Sequence, residues 1–155
     1  MKKLLFLFCL LSWSVLHAQK TINRPPFIAK ATETIEIAAI HLSDTATVVD
    51  VDAKFIPKNW IRIAPATCLV ADNGERYQVR QGVGIELGQE FWMPESGEAT
   101  FSLIFPPLPA SVKSFDFVEG EGERDFNLFG ISLIGKLPKL QLPKDLGKVG
   151  KATAV

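Results

Sequence analysis

The sequence is short of what most protein chemistry requires. Of 155 residues only two are cysteine and two histidine, too few for a zinc site built from Cys and His or for a disulfide scaffold. An excess of one charge sign is missing too. Lys+Arg and Asp+Glu both total 17, which excludes the strongly basic balance of a nucleic-acid binder. Helix signals are nearly absent, and there is one apolar run of any length. What remains is 47% hydrophobic and 22% charged, the composition of a globular chain rather than a disordered one. The length suits a single domain.

The apolar run lies at the start. Met1-Lys2-Lys3 is basic, Leu4 to Leu16 is largely apolar, and His17-Ala18-Gln19 closes the segment with a small residue. Basic start, greasy middle and small exit residue are the parts of a secretory signal. As a helix, that stretch of 13 residues rises about 20 Å, short of the roughly 30 Å hydrocarbon core of a membrane. The segment 1–18 therefore reads as a signal peptide cleaved after Ala18, and the product as extracytoplasmic, in the periplasm, without an integral membrane segment. Without residues 1–18 the chain carries 15 basic and 17 acidic residues, and Cys68 is its one cysteine. No internal disulfide is then available, so an apolar core must hold the domain.

Residues 19–26 read as a lead. From Phe27 on, short apolar alternations are broken by Pro, Gly, Asn or Asp at the spacing of an antiparallel all-β domain. Ile35 and Ile37 alternate with Glu36 before Ala39-Ile40 breaks the phase, which predicts a bulge. Val49, Val51, Ala53 and Phe55 alternate with Asp50, Asp52 and Lys54, one face buried and one wet. Trp60-Ile61-Arg62-Ile63 starts another strand. Cys68 to Ala71, Asp72-Asn73-Gly74, then Glu75 to Arg80 is the best hairpin, because Asn and Gly tolerate the positive φ of a tight turn. Gly82, Gly84 and Gly88 suggest a looser connection. Ala99, Phe101, Leu103 and Phe105 alternate up to Pro106-Pro107, Phe115 and Phe117 flank Asp116, and Phe126 to Leu133 ends the set. Seven or eight strands over residues 27–135 fit an immunoglobulin-like antiparallel β-sandwich, by architecture only, since the Cys…Trp…Cys pattern of antibody domains is missing. Residues 136–155 hold five Lys and one Asp with spaced prolines. They read as a linker that leads toward a further domain, or as a basic tail for an acidic surface.

Few residues offer chemistry. His41 lies beside Leu42 in an expected strand, with no Gly-x-Ser-x-Gly elbow in the chain, and reads as structural or surface. Glu119-Gly120-Glu121-Gly122-Glu123 lacks the spacing of a calcium loop and reads as a solvated acidic loop. The Gly82 to Gly88 run fails the dinucleotide fingerprint. Cys68 alone cannot cycle as a dithiol; it is either a buried small side chain or a single reactive thiol. Trp60 and Phe91-Trp92-Met93 stand at strand boundaries. Such rings commonly serve a core, but exposed they would stack on sugars or anchor a protein partner, so Trp60 and Trp92 are the candidate binding residues. The residues point to no catalytic group, metal or cofactor.

Asn59-Trp60-Ile61-Arg62-Ile63-Ala64, Ala71-Asp72-Asn73-Gly74, Glu90 to Phe101 with its run Phe91-Trp92-Met93-Pro94-Glu95-Ser96-Gly97, Leu103 to Pro109 and Ser114 to Glu119 together resemble the N-terminal region of large envelope proteins classed as TlpA-type thiol–disulfide oxidoreductases. The resemblance spans roughly Pro26 to Leu133. It implies an accessory β domain, with the redox Cys-x-x-Cys on a thioredoxin-fold domain farther along that nothing here matches. Gly122 and Asp125 stand where relatives tend to carry two cysteines. The expectation is an exported, non-catalytic accessory or interaction domain whose partner is an envelope protein or a following domain. The alternative is an independent module that binds a glycan or envelope polymer through Trp60 and Trp92.

Overall fold

Alternating apolar residues have one economical use, which is to line the inside of a sheet while their neighbours face water. The computed structural model describes residues 19–122 and 124–139 and contains twelve strands and no helix among them. They are β1 (Lys20–Asn23), β2 (Ala29–Lys30), β3 (Ile35–Leu42), β4 (Thr47–Lys54), β5 (Trp60–Ile61), β6 (Cys68–Ala71), β7 (Arg76–Gln78), β8 (Gln81–Val83), β9 (Phe91–Trp92), β10 (Glu98–Phe105), β11 (Ser114–Val118) and β12 (Asn127–Ser132). One five-stranded sheet has the order β1-β3-β4-β10-β8, the second β2-β12-β11-β6-β7, and β5 pairs with β9 in a separate ribbon. Every pairing is antiparallel. The chain is an all-β sandwich.

Both sheets face the same core. Val49, Val51, Leu103 and Phe105 from the first meet Leu69, Phe115, Phe117 and Ile131 from the second. Phe105 and Phe117 meet edge to face, centroids 6.4 Å apart at 78°, the arrangement that the ring quadrupoles favour. Cys68 is buried and free. The phase break in β3 is a register shift between Ile37 and Ala39; the extra residue lets Ile37 and Ile40 both turn inward. The hairpin β6–β7 closes as expected, with Gly74 at φ 86°.

Three differences from the sequence reading have local causes. Lys20–Asn23, read as a lead, pair with β3 and extend the first sheet. The Lys20 ammonium also reaches across to the Leu133 carbonyl, 2.8 Å away. Gly82, read as connection, lies in β8 beside β10, where a Cβ would collide with the Ile85 carbonyl oxygen. Trp60-Ile61-Arg62-Ile63 makes only a two-residue strand, because its partner segment Phe91–Trp92 is equally short. The expected signal (1–18), Glu123 and most of the expected linker (140–155) lie outside the described residues. Among the described residues no helix is long and apolar enough to cross a membrane.

The pairings also assign the two ends of the sandwich. Leu42, Thr47, Phe105, Ser114 and Ser132 lie toward the end where Lys20 meets Leu133. Ile35, Lys54, Glu98, Val118 and Asn127 lie toward the other, and there the candidate site is built.

Candidate functional site

Pro57 prevents β4 from continuing as a paired strand, and the chain turns. The turn is closed by the Asn59 N–H donating to the Ile56 carbonyl at 3.1 Å, with Lys58 at φ 60°. Lys58 N–H then donates to the Met93 carbonyl, and Met93 N–H to the Asn59 carbonyl at 2.8 Å. These bonds fix the register of the ribbon: Trp60 opposite Trp92, Ile61 opposite Phe91. Side chains alternate along a strand, and directly opposed residues share a face. Ile61 and Met93 are buried, and the Phe91 ring lies 6.4 Å from that of Phe101. Trp60 and Trp92 are therefore turned outward together, 40% and 60% exposed, with exposed Ile56 in the adjoining turn. Two residues that are 32 positions apart make one aromatic surface.

The ribbon is held to the sandwich at Gly97. Its N–H closes a turn on the Pro94 carbonyl, and its carbonyl accepts the Phe55 N–H at 2.9 Å. Gly97 has φ 70°, and a Cβ there would stand 2.6 Å from the Phe55 carbonyl oxygen. Only glycine fits both demands.

Beside Trp60 a cleft of about 740 Å³ opens between the segment before β3, the β5 region and the loop after β11. Glu119 lies at its edge. The acidic run was read as solvated, yet this carboxylate is buried and accepts the Ala64 N–H at 2.8 Å and the Phe126 N–H at 2.7 Å. It thereby ties the β5–β6 connection to the β11–β12 loop. Burial pushes its pKa above the ordinary value, more than the two amide donors pull it down. Arg62 and Arg124 line the same cleft with exposed guanidinium groups.

His41 lies elsewhere, on the outer face of the first sheet. Its Nε2 is 2.8 Å from Asp50 Oδ2 and its Nδ1 is 3.0 Å from Thr21 Oγ1, while Ser102 Oγ donates to Asp50 Oδ1 at 2.6 Å. The row joins β1, β3, β4 and β10 side by side. Burial raises the Asp50 pKa, but the Ser102 and His41 hydrogen bonds outweigh it and hold the carboxyl below its ordinary value.

Of the residues singled out from sequence, Trp60 and Trp92 are brought together and exposed, whereas Cys68 is buried in the sandwich. Arg62, Arg124 and Glu119 were not assigned to a site. Arg62 carried a signal, since it alternates with Ile61 and Ile63 and so shares the outward side with Trp60. Glu119 carried none, because its role is set by amides 55 and 7 residues away. Among the described residues no group of three His, Cys, Asp or Glu side chains is placed to hold a metal ion.

Fold and surface define an all-β sandwich with a paired-tryptophan ribbon and a cleft at one end. No family model, curated protein or solved structure matches the chain.

Proposed function

We propose that this chain is an exported, non-catalytic recognition domain of the cell envelope, and that the end bearing Trp60 and Trp92 meets its partner. The carrying observation is the register that sets these two tryptophans opposite each other and in water. Leaving two indoles half in water forfeits part of the stabilisation of about 1.5–3 kcal/mol that full burial of a large apolar side chain gives. Large rings at the centre of a contact supply much of its energy. The setting is that of an accessory domain to a TlpA-type oxidoreductase, supported by the sequence run from Phe91 to Gly97. An immunoglobulin-like sandwich is supported by the strand orders β3-β4-β10-β8 and β12-β11-β6, which correspond to strands ABED and GFC of that architecture.

A photocrosslinker in place of Trp92 should trap one defined partner in cells, whereas the same label at exposed Val83 on edge strand β8 should not. Equal labelling from both positions, or none, would remove the interaction reading. Dithiol-dependent reduction of insulin by the chain would remove the non-catalytic one. A second reading, an independent module for a glycan or envelope polymer, is favoured by the cleft that continues the Trp60 surface. Its volume lies within the roughly 300–1,000 Å³ range of small-ligand sites.

A further inference from the structure

In the cleft beside Trp60 the acidic and basic side chains differ in how far the fold already uses their hydrogen-bonding groups. The carboxylates of its described lining are engaged within the fold. Glu119 accepts two backbone amides, Glu33 pairs with the Lys30 ammonium at 2.7 Å, and Asp125 Oδ2 accepts the Gly122 N–H at 2.7 Å. Its guanidinium groups are not. Arg62 acts on Glu119 only through space, and neither Arg62 nor Arg124 has an ion-pair or hydrogen-bond partner among the described residues. Each guanidinium keeps five N–H donors in a planar fork matched to a carboxylate. Trp60 stands in the same lining as both arginines, and as Arg62 alternates with buried Ile61 and Ile63 it shares the outward side with Trp60.

We propose that this cleft binds an acidic sugar chain of the uronate type, a pyranose ring against Trp60 and its carboxylates on Arg62 and Arg124. The proposal rests on the glycan reading above and adds the charge of the ligand. A uronate joins the two features the cleft offers. One face of the ring is C–H and packs on an aromatic, and a carboxylate projects from the same ring at the distance of one bond. An acidic peptide would engage the arginines but repeats no apolar ring face beside each carboxylate. The polymer continues from the cleft toward Trp92 and Ile56, which extend the exposed apolar surface along the ribbon.

The test is equilibrium binding of the full chain to oligogalacturonate, with neutral oligogalactose and polyglutamate as comparison probes. Saturable binding to oligogalacturonate is expected, weakening as salt screens the exposed charges. Arg62→Ala and Arg124→Ala should each weaken it about tenfold or more. Arg62→Lys should recover only part, since an ammonium keeps the charge but not the fork. Neutral oligogalactose and polyglutamate should both bind at least about tenfold more weakly. Both arginines are exposed, so unchanged circular dichroism is the folding control. The proposal is overturned by absence of saturable binding, by polyglutamate binding as tightly as the uronate, or by arginine variants that bind like the parent. If the neutral oligomer binds instead and Trp60→Ala abolishes that binding, the glycan reading stands and the acidic ligand does not. If no sugar binds but the Trp92 crosslink persists, the protein-partner reading stands alone.

Discussion

Glu119 and Asp50 are carboxylates of this one small sandwich, and the fold shifts them in opposite directions. For Glu119 burial dominates, Phe126 and Ala64 amides oppose it, Asp125 adds to it and Arg62 subtracts, leaving the pKa above the ordinary 4.5. The folded state then holds this proton more tightly than the unfolded chain does. Its contribution to stability is complete below pH 4.5 and is lost as pH rises through the folded value. For Asp50 the pKa lies below 3.8, so its contribution is present above 3.8 and is lost as pH falls through the folded value. Urea midpoints across pH should show both slopes. Glu119→Gln should flatten the decline on the alkaline side of pH 4.5, and should cost about 1–3 kcal/mol at acidic pH because one carboxamide oxygen must serve two amides. Asp50→Asn should flatten the loss on the acid side of pH 3.8. If either variant keeps the parent slope, the carboxylate named is not its source.

At the scale of elements, stability and presentation meet in the β5–β9 ribbon. Gly97→Ala places a side chain on a left-handed residue, which costs about 1–2 kcal/mol, and pushes against the Phe55 carbonyl that faces it. The ribbon should loosen. The expected result is a fall in stability of about 2 kcal/mol or more, with tryptophan emission shifted toward that of free indole in water; unchanged emission would mean that the ribbon is held from elsewhere. How much was legible follows from how each element is made. β4 and β10 were readable because Val49, Val51 and Ala53 alternate with Asp50, Asp52 and Lys54, and Ala99, Phe101 and Leu103 with Thr100 and Ser102, giving one wet face and one dry face, and the β6–β7 hairpin because Asn73-Gly74 carries its own turn chemistry. β1, β2 and β9 were not readable as strands and β5 only as a longer one, because each has two to four residues and exists only because a distant partner offers hydrogen bonds. For the same reason the sequence offered Trp60 and Trp92 as candidate binding residues without showing that they stand opposite each other. Nothing local distinguishes a ring at a strand boundary that folds inward from one that faces water. β8 was hidden by Gly82, a residue that ordinarily argues against a strand and here clears space for the Ile85 carbonyl.

As a whole molecule, the sandwich depends on one core shared by both sheets, since its one described cysteine is free. Phe117 is fully buried where β11 meets β10 through Phe105. Phe117→Ala should cost about 3–5 kcal/mol and lower the denaturant midpoint of the entire domain in one step, as expected of a single cooperative unit. Separate transitions for the two sheets in calorimetry would contradict a common core. The long strands carry a further implication. Lys20 meets Leu133 at one end of strands eight residues long, about 25 Å by strand rise from the end that holds Trp60 and Trp92. A group attached at Leu133 therefore stands at the end opposite Trp60 and Trp92. Coupling copies to a surface at the Lys20–Leu133 end leaves their indole-bearing tips accessible from solution, like bristles set in a brush.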